Sequence, residues 1–241
     1  MHAPAGPTPG APEKAAVRSM FDRIAPRYDL LNRLLSAGSD VRWRRAAVDF
    51  LELPPGARVL DLCTGTADLL LEALGRDRGH RGVGIDLSLE MLLRGAQKLG
   101  RDGFRGSGLV QGDAERLPLR SACWDAALVA FGIRNVGDPE AALVEIVRVL
   151  RPGGRLVVLE FSMPGGLLGS LYRVYFRQVL PRVGGLVSGD RAAYSYLPDS
   201  VVRFPTPDTF ASAMLRAGFG DVRLKPLTGG IAHMYRGEKP R

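Results

Sequence analysis

A doubly wound α/β fold on a mostly parallel sheet is predicted by three features of this sequence. From Arg58 to Phe161, short and almost continuously apolar runs alternate with amphipathic ones, the pattern of strands buried on both faces by crossover helices. Glycine-bearing turns punctuate that alternation, at Thr64-Gly65-Thr66 and at Arg151-Pro152-Gly153-Gly154. The chain has 241 residues, 46% of them hydrophobic and 24% charged, which suits one soluble domain with flanking segments and excludes disorder over most of its length.

Residues 1–12 are rich in Pro, Gly and Ala and are expected to be a disordered tail. Residues 13–241 read as a single domain in four parts: a helical cap (13–55), a ligand-binding core (56–162), a helical insert or lid (163–205), and a C-terminal helix with closing strands (206–241). In the cap, Ala15, Val17, Met20, Phe21 and Ile24 recur at helical spacing up to a break at Pro26. Leu30, Leu31, Leu34 and Leu35 form a second run that Gly38 ends, and a third helix spans Asp40 to Leu51. The core reads as RVLDLC (58–63), helix 67–76, GVGID (82–86), helix 88–99, LVQGD (109–113), DAALVAF (125–131), helix 139–150, an RPGG turn, and RLVVLEF (155–161). Residues 163–187 interrupt the alternation. Leu168, Leu171, Tyr172, Tyr175 and Val179 share one helical face and Arg173 and Arg177 another, as suits either an insert covering the core or a helix lying on a membrane. A capped helix over 208–217 and strands over 222–227 and 231–236 close the domain.

No run is long enough to span a bilayer, and the N-terminus lacks the order of a secretory signal, so a cytoplasmic protein is expected. Cys63 and Cys123 stand 60 positions apart, which supports neither a disulfide framework nor a zinc site. The net charge of +8 is uneven: +2 over residues 1–55, zero over 56–160 and +6 over 161–241. A neutral core without aromatic-basic clusters argues against nucleic acid as a partner. The basic last third suits transient contact with an anionic membrane face. The sequence is compatible with a homo-oligomer and does not specify one.

Ligands of such sheets bind at the carboxyl ends of the strands. The first loop there, Asp61 to Asp68, has one glycine and two acids where a dinucleotide fingerprint requires several glycines. Two carboxylates would repel a diphosphate but suit a ligand carrying an ammonium and a sulfonium, and S-adenosylmethionine is such a ligand. Asp86, ending the second strand, is placed to accept the ribose hydroxyls, with helix capping before Ser88 as the lesser alternative. Asp113 and the Ala114 backbone are placed for the adenine.

These residues lie within longer blocks that resemble a known family, the C-methyltransferases of menaquinone and ubiquinone biosynthesis. The resemblance runs from about Val17 to Lys239 and rests on FDRIAPRYDLLNRLLSAGSDVRW (21–43), VLDLCTGTAD (59–68), FGIRNVGD (131–138), RVLRPGGRLVVLEFS (148–162), VLPRVGGLVSGD (179–190) and YSYLPDSVVRFP (194–205). It departs at Leu31 and Asp40, where the family usually has Met and His, at Ala67 for Gly, at Arg151 for Lys, and at Tyr235 for His. It implies the Rossmann-like fold of class I S-adenosylmethionine-dependent methyltransferases, with N-terminal helices and a helical insert over the substrate site. It also implies Thr66, Asp86, Asp113 and Ala114 as donor-binding residues, with Asp61 and Gly65 shaping the loop.

The implied substrate is a reduced prenylated quinone, methylated on a ring carbon in menaquinone biosynthesis or, as the alternative, in ubiquinone biosynthesis. The SVVRFP continuation favours demethylmenaquinol. A non-catalytic membrane-associated scaffold of a quinone pathway is the alternative from another class. An aromatic carbon becomes nucleophilic when its neighbouring hydroxyl ionises, so the quinol and not the quinone should react, with no metal required. Arg134 is the expected stabiliser of the phenolate, or else a structural ion pair. Asn135 is expected to orient a quinol oxygen, and Tyr28 and Tyr196 to bond or wall the ring or simply to pack. His233, His80 and His2 are expected outside the site, and Cys63 is not expected to act as a nucleophile.

Overall fold

The computed structural model describes residues 13–104, 106–179, 182 and 191–241; the reading of 1–12 as a tail, and most of the 179–190 block, lie outside them. The cap opens with α1 (Lys14–Ile24), which buries Val17, Met20 and Ile24 at intervals of three and four residues. Pro26 cannot continue an α-helical ladder and sits in a single 3₁₀ turn, Ala25–Arg27. Helix α2 (Tyr28–Leu35) buries Leu31 but leaves Leu30 and Leu34 61% and 52% exposed. Gly38, with φ of +75°, supplies the left-handed residue that separates α2 from α3 (Ser39–Leu51).

The core follows as β1 (Arg58–Leu62), α4 (Asp68–Leu74), β2 (Arg81–Asp86), α5 (Leu89–Asp102), β3 (Gly108–Gln111), β4 (Trp124–Ala130), α6 (Pro139–Val149) and β5 (Leu150–Phe161). Ser88 caps α5 and Asp138 caps α6, each accepting a backbone N–H from the first turn. The chain continues through α7 (Gly166–Val174), a π turn (Tyr175–Val179), α8 (Arg191–Arg203), α9 (Pro207–Arg216), β6 (Gly220–Leu227) and β7 (Ala232–Glu238). The seven strands lie in the order β3-β2-β1-β4-β5-β7-β6; β1 to β5 are parallel, and β7 runs antiparallel to both β5 and β6. Side chains alternate between two cores. Leu60, Leu62, Ala127, Val129 and Tyr235 face α6 and α9, whereas Val59, Ala126, Leu128 and Met234 face α3 and α4.

Two sequence expectations are corrected. Leu150 begins β5 rather than ending α6: it pairs with Trp124, Arg155 then pairs with Ala126, and the RPGG segment between them bulges out with Gly153 at φ +76°. The insert is not one continuous amphipathic helix, because the π turn from Tyr175 breaks the 3.6-residue period. The side chains of Leu168, Leu171, Arg177 and Val179 lie outside the described residues. Tyr235 is fully buried under α9, edge-to-face with Phe210 at 4.9 Å, and its hydroxyl has no hydrogen-bond partner among the described residues. That departure from the family pattern is therefore a feature of the core. His80 is buried and accepts the Ala57 N–H at 3.0 Å. His233, in β7, shares a 2.7 Å hydrogen bond with Ser162.

Candidate active site

The β1–β4 pair is the point where successive connections leave in opposite directions, and a crevice opens above its carboxyl end. Between β1 and α4 the backbone turns sharply, with Cys63, Gly65 and Ala67 all in the left-handed region at φ of +52°, +55° and +65°. Asp61, 1% exposed, points inward and accepts from Thr64 Oγ1 at 2.6 Å and the Leu70 N–H at 3.2 Å. Burial lifts its carboxyl to about 7. Asp68 is paired with Lys98 at 2.6 Å and Arg44 at 3.2 Å. Within the loop, then, one acid holds the turn and the other anchors the cap, and both also line the recess beside it.

Asp86 is the carboxylate that does face the crevice. Its Oδ2 accepts the Gly65 N–H at 2.8 Å and its Oδ1 the Ser88 N–H at 2.9 Å, so it ties the first two strand-end loops together. Burial pushes its carboxyl upward. The α5 cap belongs to Ser88, which leaves Asp86 on the wall of a cavity of about 700 Å³ with Gly65, Ile85, Met91, Asp113 and Ala114. Each carboxylate oxygen retains a lone pair for a diol, and the apolar side chains can sandwich a planar base. Asp113 accepts the Glu115 N–H at 2.9 Å and pairs with Lys14 Nζ at 2.6 Å, and Lys14 also reaches Glu115 at 2.7 Å. With Asp22 accepting from Ser88 Oγ at 2.5 Å, these bonds fasten α1 over the cavity. Thr66 is not on that wall. It donates to Asp29 at 2.6 Å, accepts from Lys98 at 2.9 Å, and lines a neighbouring recess of about 400 Å³ with Asp61 and Arg44.

A second cavity, of about 1520 Å³, lies between the cap and the insert and shares Phe21, Tyr28 and Phe131 with the first. Its walls are mainly aromatic and aliphatic. Phe131 and Phe161 stack at 4.3 Å, Trp43 packs on both at 6.0 Å, and Tyr172, Tyr175 and Phe176 come from the insert. Such a space suits a large apolar ligand carrying a planar ring.

Arg134 lines this second cavity from the turn after β4. Nη1 donates to Glu160 Oε1 at 2.6 Å and to the Phe131 carbonyl at 2.5 Å, and Nε donates to Ser200 Oγ at 3.2 Å. Nη2 has no partner among the described residues. The ion pair entertained for Arg134 exists, yet it leaves one donor face available beside the cavity. Glu160 is wholly buried, which pushes its carboxyl up against the downward pull of Arg134. Asn135 lines the first cavity, and its Oδ1 accepts from the Tyr196 hydroxyl at 3.0 Å; Tyr196 lines the second. The sequence candidates Tyr28, Arg134, Asn135 and Tyr196 therefore meet at one junction.

Comparison with known proteins matches residues 10–239 to the ubiE/COQ5 methyltransferase family. The chain belongs to that family. It is 53% identical over 221 residues to the ubiquinone/menaquinone biosynthesis C-methyltransferase UbiE of Syntrophotalea carbinolica, covering 91% of this chain and 92% of the relative. It is 51% identical over 223 residues to the demethylmenaquinone methyltransferase of Thermus thermophilus, covering 92% and 100%. Among solved structures, the Haemonchus contortus phosphoethanolamine N-methyltransferase 2 in complex with S-adenosyl-L-methionine superposes with a TM-score of 0.64 at 14% identity, covering 82% of this chain and 52% of that one. At that identity the likeness concerns the fold.

For a ubiE/COQ5 methyltransferase, the arrangement brings the cavity beside Asp86 and the apolar cavity together at Phe21, Tyr28 and Phe131. Sequence reasoning missed the polar partners that assemble it: Glu160 beneath Arg134, Lys14 and Asp22 on α1, and the chain Asp40–Arg44–Asp68–Lys98–Asp29 that locks α2 and α3 to the glycine loop. For the helical residues the only signal was charge on otherwise amphipathic helices; Glu160 is a lone acid at the end of the apolar strand β5.

Proposed function

We propose that this chain transfers the methyl group of S-adenosylmethionine to a ring carbon of demethylmenaquinol, giving menaquinol. The carrying observation is the meeting of the two cavities beside Arg134 and Asn135. Asp86 is placed to accept the ribose hydroxyls. Asp113 and Ala114 are placed for the adenine, once Lys14 shifts toward Glu115. Gly65 shapes the turn beside them. Asp61 and Thr66 act behind the wall, holding the loop. The bound donor supplies an electrophilic methyl on a positively charged sulfur, so the proposal requires no metal ion. Arg134 stabilises the charge that develops on the quinol oxygen, Asn135 and Tyr196 fix the ring, and Tyr28 and Phe131 hold carbon and methyl at about 3–3.5 Å.

In this reading residues 13–55 cap the donor site, 56–162 form its core, 163–205 cover the substrate and 206–241 close the sheet. The prenyl tail runs along the apolar cavity toward α2, where Leu30 and Leu34 stand exposed beside the exposed Arg33. No helix among the described residues is long and apolar enough to cross a membrane, and the +6 of residues 161–241 supports transient docking on an anionic surface. Benzoquinol methylation is the second reading, supported by the joint name of the Syntrophotalea relative. The test is incorporation of labelled methyl into demethylmenaquinol, its oxidised quinone and the benzoquinol analogue, each presented in anionic and in neutral vesicles. We expect the naphthoquinol in anionic vesicles to turn over fastest and the quinone not at all. Faster turnover of the benzoquinol would favour the second reading, and donor binding without turnover of any quinol would favour a scaffold.

A further inference from the structure

We infer that Asp40 is the proton acceptor of the methyl transfer; the inference rests on the quinol reading above. Asp40 stands in the first turn of α3, is 4% exposed, and carries the one carboxylate among the described residues that line the apolar cavity. The other titratable side chains on that wall cannot take a proton. Tyr28 of α2, Tyr172 of α7, Tyr175 of the π turn and Tyr196 of α8 are held above the ordinary phenol range by burial, so they stay protonated. Arg44 and Arg134 are permanent cations that only donate.

The surroundings of Asp40 hold its carboxylate in place on the cavity wall. Its Oδ1 accepts from Ser36 Oγ at 2.8 Å and its Oδ2 from Arg44 at 2.6 Å, which aims the carboxylate and leaves a lone pair on each oxygen. Arg44 also contacts Asp68 at 3.2 Å. When Asp40 is neutralised, the Arg44 charge therefore keeps a partner, and the protonated state does not strand a buried cation.

The step balances as follows. The quinol O–H bond breaks and its proton passes to Asp40, while the oxygen electrons move through the ring to the neighbouring carbon. That carbon bonds the methyl group as the sulfur–methyl bond breaks, and the bond pair stays on sulfur. The ring C–H proton then passes by way of solvent to the carbonyl oxygen, restoring the phenol, and Asp40 releases its own proton to solvent. One net proton is produced per methyl transferred.

Two variants, Asp40→Asn and Asp40→His, test this at saturating donor and quinol. Asp40→Asn should lower kcat about 100-fold, with quinol KM and calorimetric donor Kd within about threefold, and should lose the acid limb of the kcat pH profile. Asp40→His should keep kcat within about tenfold of wild type and move that limb to about 6.5, the ordinary imidazole range. A merely structural aspartate would not move the limb. An Asp40→Asn enzyme with kcat within threefold of wild type, or an Asp40→His enzyme with the limb in its original place, overturns the assignment. Should Asp40→Asn fail to fold, the position of the limb in Asp40→His decides alone. A wild-type protein silent on every quinol overturns the quinol reading and this inference together, whereas an active wild type with an indifferent Asp40→Asn overturns the role of Asp40 only.

Discussion

Replacing Arg134 by alanine is expected to lower quinol turnover by about 10²–10³-fold while leaving donor affinity within about threefold. The guanidinium lines the quinol cavity, and losing one fixed donor aimed at developing negative charge typically costs that much. The substitution also removes the counter-ion of a wholly buried Glu160, a loss worth about 3–5 kcal/mol if that carboxylate stayed charged. Burial already pushes Glu160 upward, and without Arg134 it should rise further and take up a proton. An acid whose folded-state value is raised binds more protons folded than unfolded, so its stability contribution falls as pH rises through that window. Arg134→Ala should therefore lose thermal stability more steeply than wild type as pH rises above the ordinary carboxylate range. Arg134→Ala/Glu160→Gln should abolish that extra slope but not recover the turnover. If the double variant regains turnover, the role of Arg134 is structural.

Gly132→Ala is expected to damage the donor site itself. A Cβ built on Gly132 would overlap Cys63 Cβ and lie 3.0 Å from its sulfur, because the turn after β4 presses directly on the glycine loop. Neither backbone can yield easily. Gly65, two residues from Cys63, is bonded to Asp86 at 2.8 Å, and Cys63 is itself in the left-handed region. Overpacking of this kind costs about 1–3 kcal/mol, or about 2–12 °C in Tm for a domain of this size. Forcing the two loops apart should also weaken donor binding more than tenfold. Cys63→Gly removes both clashing atoms at a backbone conformation that glycine adopts freely, so Gly132→Ala/Cys63→Gly should restore most of both losses. Cys63 is dispensable in this scheme: burial and the surrounding carboxylates hold its thiol protonated. A Gly132→Ala protein with wild-type Tm and affinity would contradict this packing.

Much of the sheet was legible because buried parallel strands and crossover helices impose different periods on the apolar residues. The positions of Asp86, Asp113 and Arg134 were legible for a related reason: each ends or closely follows a strand, and strand ends in this architecture converge on one crevice. Leu150 was misassigned because the apolar period of α6 continues into it, whereas its pairing with Trp124 is a tertiary fact. For Asp61 and Asp68, sequence gives position but not direction. Thr64 Oγ1, the Leu70 N–H, Lys98 and Arg44 decide where those carboxylates point. The partners that assemble the junction are far apart in the chain, as Lys98 is from Asp29 and Arg134 from Glu160, and no local pattern announces them.

Calorimetric titration with S-adenosylmethionine, beside NAD as a dinucleotide control, tests most directly whether the acidic crevice recognises a sulfonium nucleoside. Asp86→Asn sets an amide NH₂ against the Gly65 or Ser88 N–H and withdraws a charged acceptor from the diol. The expected result is one donor bound per chain, more than tenfold weaker in Asp86→Asn, and no heat from NAD. Absence of heat with the donor, an Asp86→Asn protein that binds it as tightly as wild type, or tighter binding of NAD would contradict the account.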